Sequence, residues 1–239
     1  MATAVGGTDE PNEPNAPKHA DPELRGLRLP LVLGALTVVS GLIDAVSYLG
    51  LGHVFTANMT GNVVVLGFAA AGAPGFSATH SLVSLGAFLI GSVVGGRGVL
   101  RFSEGSRRTW VRVALWCEAV LVALAAAVAF AAPDARGTVF ALIALTALAM
   151  GLRNATVRKL GVTDMTTTVL TMALTGLAAD SRLGGGDSTH ALRRAGSALA
   201  LLAGALLGAY LVLNHGLGLP LLVAAVIAAA LALVTSGRL

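Results

Sequence analysis

Two polar stretches hold the side chains that are best suited to bind a solute. The first reads FTANMTGN over residues 55–62, and the second reads TDMTTTVLT over residues 163–171. Their amides and hydroxyls can line a site for a small polar solute, because such groups both donate and accept hydrogen bonds. The same groups can instead bond neighbouring membrane helices to one another, and the sequence leaves both roles open. The candidate solute-binding residues are Asp44, Asn58, Thr60, Asn62, Asn154, Thr167, Thr168 and Thr171.

Two carboxylates lie within long apolar runs, where an ionisable group is costly and indicates a function. Asp44 lies fifteen residues after Leu29, deep in the first run. It could bind a coupling proton or cation, or it could pair with an asparagine amide of the first polar stretch or with backbone N–H groups. Glu118 lies closer to the start of its own run, and we expect it to pair with Arg112 or to reach toward the membrane surface.

Patterns typical of catalysis and of metal binding are absent from the sequence. It contains no G-x-S-x-G, no GxxxxGK[ST], no glycine-rich dinucleotide fingerprint and no HExxH. The single cysteine, Cys117, can form neither an intrachain disulfide nor a C-x-x-C pair. The sequence therefore predicts no catalytic residue, no cofactor and no metal site, and it favours a protein that is not an enzyme.

The composition is that of a membrane protein. Of 239 residues, 55% are hydrophobic and 12% are charged, and the mean hydropathy is +0.81. Soluble domains carry about 25% charged residues. The net charge of +4 comes from arginines and lysines that lie mostly between apolar runs. That placement indicates membrane topology rather than nucleic-acid binding, so we predict an all-α polytopic protein in contact with the lipid bilayer.

Eight apolar segments can be distinguished, and two of them are too short to cross a bilayer easily. A crossing helix needs about 20 residues. Segments 2 and 6 are the shortest, and their first residues are polar. In chain order, the eight segments span residues 29–51, 58–73, 79–100, 111–132, 138–156, 166–180, 191–213 and 217–235.

The distribution of arginine and lysine decides whether segments 2 and 6 cross. Cytoplasmic loops carry an excess of these residues. If all eight segments cross, eight basic residues lie on each side. If segments 2 and 6 re-enter on their own side, fifteen lie inside and only Arg136 lies outside. We therefore predict six transmembrane helices plus two short re-entrant half-helices, with both termini cytoplasmic.

The two halves of the chain, 29–132 and 138–235, form a predicted inverted repeat. GLIDA at 41–45 matches GLRNA at 151–155, and Asn62 falls on Thr171 after a one-residue gap. Three crossings per half invert the second half relative to the first, a plan that recurs in transporters and channels. Small residues at every fourth position let helices approach closely and would allow a homodimer. They are Ala87, Gly91 and Gly95 in segment 3, and Gly196, Ala200, Gly204 and Gly208 in segment 7.

Three motifs resemble the YoaK-like family of bacterial multi-pass membrane proteins, a domain of unknown function. They read GLIDAVSYL, VFTANMTGNVV and GLRNATVRKLGVTDMTTTVLTMALTGLAAD, and the resemblance extends over about residues 30–235. The resemblance implies a bacterial inner-membrane protein with several spans and no assigned activity. It supplies no roles for the motif residues.

Together these patterns predict the domain organisation and a function. Residues 1–26 are polar and proline-rich, so we expect a disordered cytoplasmic tail followed by a membrane domain over 27–239. The N-termini of the half-helices would face the middle of the membrane, where their partial positive charge favours an anion or a neutral polar solute. We expect a transporter or channel for a small polar or anionic solute. The alternative is a membrane-embedded scaffold or a lipid-acting enzyme.

Overall fold

A computed structural model describes residues 29–102, 107–133, 135, 137–159, 170–181 and 191–236. Within these ranges the chain forms eight α-helices and no strand. The predicted tail at 1–26 lies outside the described residues, so that domain boundary stays a prediction. The helices are α1 (Leu29–Gly50), α2 (Met59–Ala70), α3 (Ala78–Phe102), α4 (Arg107–Ala131), α5 (Thr138–Lys159), α6 (Leu170–Ala179), α7 (Ala191–His215) and α8 (Gly218–Ser236).

Six of these helices are long and apolar enough to cross a membrane, and two are not. The short helices α2 and α6 contain 12 and 10 residues. At 1.5 Å per residue they are about 18 and 15 Å long, whereas the hydrocarbon core is about 30 Å thick. The predicted fold class, six transmembrane helices with two half-helices, is confirmed. The chain is a multi-pass membrane protein whose helices contact the lipid bilayer.

Helices α1 and α5 form the centre of the bundle, and α3 and α7 lie at its edge. Of the most apolar window in each helix, 67% is buried in α1 and 56% in α5, but only 17% in α3 and α7. The largest core cluster includes Leu42 and Ile43 from α1 and Met150 from α5, all almost fully buried. Leu202 and Leu206 of α7 are instead exposed, as suits a surface that faces lipid.

Glycines bring α1 and α7 into backbone contact. A Cβ atom on Gly41 would collide with the backbone carbonyl of Leu201, and one on Gly204 would collide with the carbonyl of Val38. Only glycine permits helices to pack this closely. The small residues predicted to form a ridge on α7 therefore divide into two groups, because Gly204 is at the contact whereas Gly196 faces open space.

The same kind of contact joins α3 to α5. A Cβ atom on Gly151 would collide with the Phe88 carbonyl, and one on Gly91 would collide with the Leu148 carbonyl. The Ser92 hydroxyl also donates a hydrogen bond to the Gly151 carbonyl across this contact, at 3.3 Å. Each central helix is thus held against one peripheral helix through glycine.

Neighbouring glycines on α3 provide a test of this packing. A Cβ on Gly95 would lie 2.7 Å from the Leu152 carbonyl oxygen, whereas one on Gly96 would have no atom within 4 Å. We expect Gly95→Ala to lower the apparent Tm in detergent, because α3 must move away from α5. Gly96→Ala should leave it unchanged or raise it, since alanine favours helix by about 1 kcal/mol. Equal Tm values for the two variants would contradict the close contact.

Candidate functional site

The segment between α1 and α2 turns back into the protein instead of crossing to the far side. Gly52 (φ 85°) and His53 (φ 59°) adopt left-handed backbone conformations that reverse the chain after α1. The following residues Thr56 and Ala57 are buried. The backbone N–H of Ala57 lies against the carboxyl group of Asp44. Asp44 precedes the end of α1 by six residues, or about 9 Å along the helix axis, so the segment 51–58 runs back alongside α1.

Asn62 satisfies the backbone of this non-helical segment. Its Oδ1 accepts a hydrogen bond from the Phe55 N–H at 2.8 Å, and its Nδ2 donates to the Phe55 carbonyl at 2.5 Å. The Ser84 hydroxyl of α3 donates to the same carbonyl at 2.6 Å. Lipid offers no hydrogen bonds, so irregular backbone at membrane depth needs such internal partners. The side chain of Asn62 therefore supplies the hydrogen-bond partners that the Phe55 N–H and carbonyl would have in a regular helix.

Asn58 and Thr60 do not join Asn62 in this arrangement. Asn58 occupies the N-cap position of α2 but makes no side-chain capping bond, and both Asn58 and Thr60 are exposed. Asn62, the fourth residue of α2, instead bonds both backbone groups of Phe55, which precedes the helix.

Asp44 keeps an unsatisfied oxygen inside the protein. Its Oδ1 is buried and has no hydrogen-bond partner among the described residues. Of the two pairings that the sequence left open, the asparagine amide is not the partner, because Asn62 is bonded to Phe55 and Ser84 and Asn58 is exposed. The backbone pairing is the one found: the Ala57 N–H bonds the Asp44 carboxyl group, which also interacts electrostatically with the Arg153 side chain.

The candidate residues of the second half are only partly within the described chain. Asn154 lies on α5, and its Nδ2 is buried without a hydrogen-bond partner in the part that the structure describes. Thr171 is exposed on α6. Thr167 and Thr168 lie outside the described residues. The structure thus brings Asp44 and Asn62 to one segment, and a pocket between the two polar stretches stays a prediction.

A buried ion pair that the sequence patterns did not predict joins three helices. Arg153 Nη1 donates to Glu118 Oε1 at 3.0 Å and to the Leu36 carbonyl at 3.1 Å. Its Nη2 bonds the Ser40 hydroxyl and lies 3.0 Å from the sulfur of Met150. The Arg153 side chain is 6% exposed and the Glu118 side chain is 0% exposed. Arg153 thereby ties α5 to α1 and α4.

The expectation for Glu118 is therefore wrong, because Glu118 pairs with Arg153 and not with Arg112. The count of basic residues includes Arg153 on the inner side, but this residue lies within α5, which remains helical to Lys159. The alignment of the two halves could have indicated this pair, because it places Arg153 at the position of Ile43, which lies in the apolar core. A charge that replaces an apolar core residue must find an acid nearby, and Glu118 is that acid.

The sequence comparisons agree with this architecture. Residues 32–234 match the family described as "Protein of unknown function (DUF1275)", so the chain belongs to the DUF1275 family. The chain is 35% identical over 152 residues to the UPF0700 transmembrane protein YoaK of Bacillus subtilis (strain 168). That match covers 62% of this chain and 65% of the relative, so the chain spans less than two thirds of the curated protein. No solved structure matches this chain. The YoaK-like resemblance is confirmed.

Removing one partner of the buried ion pair should cost more than removing both. We expect Arg153→Met or Glu118→Leu alone to destabilise the protein by about 3–5 kcal/mol, since each leaves a buried charge unpaired. The double variant should recover at least half of that loss. Thermal unfolding in detergent measures all three variants. Additive losses in the double variant would show that the two side chains do not act as a pair.

The two asparagines of the first polar stretch should differ sharply when they are replaced. Asn62→Ala leaves the Phe55 N–H buried without a partner, so we expect a loss of about 1–3 kcal/mol. Asn58→Ala is the matched control and should have little effect, because the Asn58 side chain is exposed and makes no capping bond. Chemical unfolding in mixed micelles compares the two. A larger loss for Asn58→Ala would contradict the assigned role of Asn62.

Proposed function

We propose that this DUF1275 protein is a transporter or channel for a small polar or anionic solute. We place its site beside Asp44, near the start of the half-helix α2, and beside Asn154 of the second half. We further propose that it resides in the bacterial inner membrane with both termini in the cytoplasm. The excess of basic residues on one side supports this orientation, and taking Arg153 out of the loop count leaves that excess in place.

The observation that carries the proposal is a pair of unsatisfied polar atoms at matching positions of the two halves. Asp44 Oδ1 and Asn154 Nδ2 are both buried without hydrogen-bond partners among the described residues. Each residue lies three positions after the glycine of its GL-x-x-A motif. Leaving a buried polar group unsatisfied is costly, so groups of this kind are expected where a solute binds.

The helix contacts support an inverted repeat around these positions. Gly41 of α1 meets α7, and its counterpart Gly151 of α5 meets α3. The return contacts correspond as well: Gly204 meets Val38, and Gly91 meets Leu148, which is the counterpart of Val38 at the same offset. Helices α4 and α8 pack on each other. Exchanging the two halves therefore reproduces the same set of contacts, as expected of transporters whose site lies between inverted halves.

The N-terminus of α2 favours a solute that is anionic or neutral, provided that Asp44 is protonated when the solute binds. Helix α2 begins at Met59, directly after the buried segment, and its N-terminus carries a partial positive charge. Arg153 is already neutralised by Glu118. Asp44 then supplies the group that takes up a coupling proton or cation as the solute binds.

The scaffold alternative makes a different demand on the same residues. A scaffold needs every polar side chain of the motifs to be paired within the protein. Within the described ranges Asn62 meets this demand, whereas Asp44 Oδ1 and Asn154 Nδ2 have no hydrogen-bond partner. This division favours transport, because paired residues build the turn and unpaired residues remain available to a solute.

Replacing the Asp44 carboxylate should abolish solute flux. Proteoliposomes would be tested by stopped-flow light scattering against urea, glycerol, formate and nitrate, and by thermal shift with the same solutes. We expect Asp44→Asn to reduce flux of the transported solute at least tenfold while insertion and Tm are preserved. Asp180→Asn is the control, since this aspartate is exposed at the end of α6 and pairs with Arg194. Equal flux in both variants would contradict the proposal.

A further inference from the structure

Three more buried polar atoms lack partners in the described part of the chain, and they belong to one junction. They are Oγ1 of Thr56, Nδ1 of His80 and Oγ of Ser81. Thr56 is 0% exposed and Ser81 is 2% exposed. The junction joins the segment 51–58 to the first turns of α3, and no contact of the Asn62 amide accounts for these three atoms.

The contacts of α3 place these atoms along one face. Ser84 bonds the Phe55 carbonyl at 2.6 Å, and Ser81 lies one helical turn earlier on the same buried face. A Cβ atom on Gly52 would lie 2.9 Å from His80 Nδ1. The segment 51–58 therefore packs along the first two turns of α3.

The same segment leads to Asp44. Thr56 directly precedes Ala57, whose backbone N–H lies against the Asp44 carboxyl group. At its other end the segment reaches the α2–α3 loop, where His53 Nδ1 lies 3.3 Å from the Gly75 carbonyl oxygen. Polar atoms thus follow one another from the loop side of the molecule to the buried carboxylate.

Charged and aromatic neighbours define the chemistry of this row. Arg153 of α5 faces Asp44, but its guanidinium is held by Glu118 of α4. The His80 ring packs edge-on against the Phe140 ring of α5, with 5.0 Å between centroids. The row therefore consists of two hydroxyls and one imidazole, and it ends at the Asp44 carboxyl group.

We propose that Thr56, His80 and Ser81 line an access path that carries water and protons from the α2–α3 loop side of the membrane to Asp44. Each buried polar group left dry costs several kcal/mol beside lipid, whereas water in the path satisfies all three groups. Each hydroxyl oxygen accepts one proton and releases the other, and the imidazole accepts a proton on one nitrogen and releases one from the other nitrogen. The last proton goes to the Asp44 carboxylate, and rotation of the groups or exchange with water restores the row for the next transfer. This inference deepens the proposed function, because it names the coupling ion and the side from which it arrives.

The single cysteine of the chain makes a direct test practical. In a Cys117→Ser background, Thr56→Cys and Ser81→Cys would be exposed to Ag⁺ outside sealed vesicles, and free thiols would then be counted with maleimide after denaturation. Pro74→Cys, in the exposed α2–α3 loop, identifies vesicles that present this side. Val39→Cys, on α1 and 0% exposed in the apolar core, is the dry control.

We expect Thr56→Cys and Ser81→Cys to react at least tenfold faster than Val39→Cys, and only in vesicles where Pro74→Cys reacts. Adding Asp44→Asn should slow the Thr56→Cys reaction at least threefold, because the carboxylate no longer attracts the cation.

Reaction rates equal to that of Val39→Cys, or a Thr56→Cys rate that does not change with Asp44→Asn, would contradict the access path. Reactive thiols without solute flux would contradict the proposed function but support the access path. Solute flux without reactive thiols would support the proposed function and contradict the access path.

Discussion

The inability of lipid to form hydrogen bonds constrains every part of this structure that is not a regular helix. The irregular segment 51–58 lies within the protein only because Asn62 and Ser84 replace the partners that Phe55 has lost. Arg153 can lie in the core for the same reason, since Glu118, Ser40 and the Leu36 carbonyl accept hydrogen bonds from its guanidinium. Two devices thus serve one requirement: an amide holds the backbone turn, and an ion pair holds the central helices.

The spans were predictable because they depend on quantities that a sequence carries directly. Helix length and apolarity follow from composition along the chain, and the half-helices follow from the placement of arginine and lysine. The sequence predicted that glycines bring helices close together, but it did not predict which glycines lie at the contacts, since spacing alone does not distinguish Gly95 from Gly96. Only the rotation of α3 about its axis, set by α5, decides which glycine is at the contact.

The roles of individual polar residues were harder to predict. Asn58 and Asn62 have the same side chain and lie in the same stretch, yet one is exposed and the other is 1% exposed. The Arg153–Glu118 pair joins residues that are distant in sequence, and a local pattern points Glu118 toward the nearer Arg112. A side chain's partner is set by how helices pack, and that information is spread over the whole chain.

The two halves share backbone contacts but differ in chemistry at their centre. In the first half Ile43 packs in the apolar core, whereas Arg153 at the corresponding position of the second half binds Glu118. The next position is an acid, Asp44, in the first half and an uncharged amide, Asn154, in the second. Each of the two buried acids keeps one oxygen without a hydrogen-bond partner in the described part of the chain, Oδ1 of Asp44 and Oε2 of Glu118. They differ in their partners: Glu118 is bonded by the guanidinium of Arg153, which ties α5 to α1 and α4, whereas Asp44 is bonded by a backbone N–H, that of Ala57. This difference is why we propose Asp44, and not Glu118, as the acid that binds.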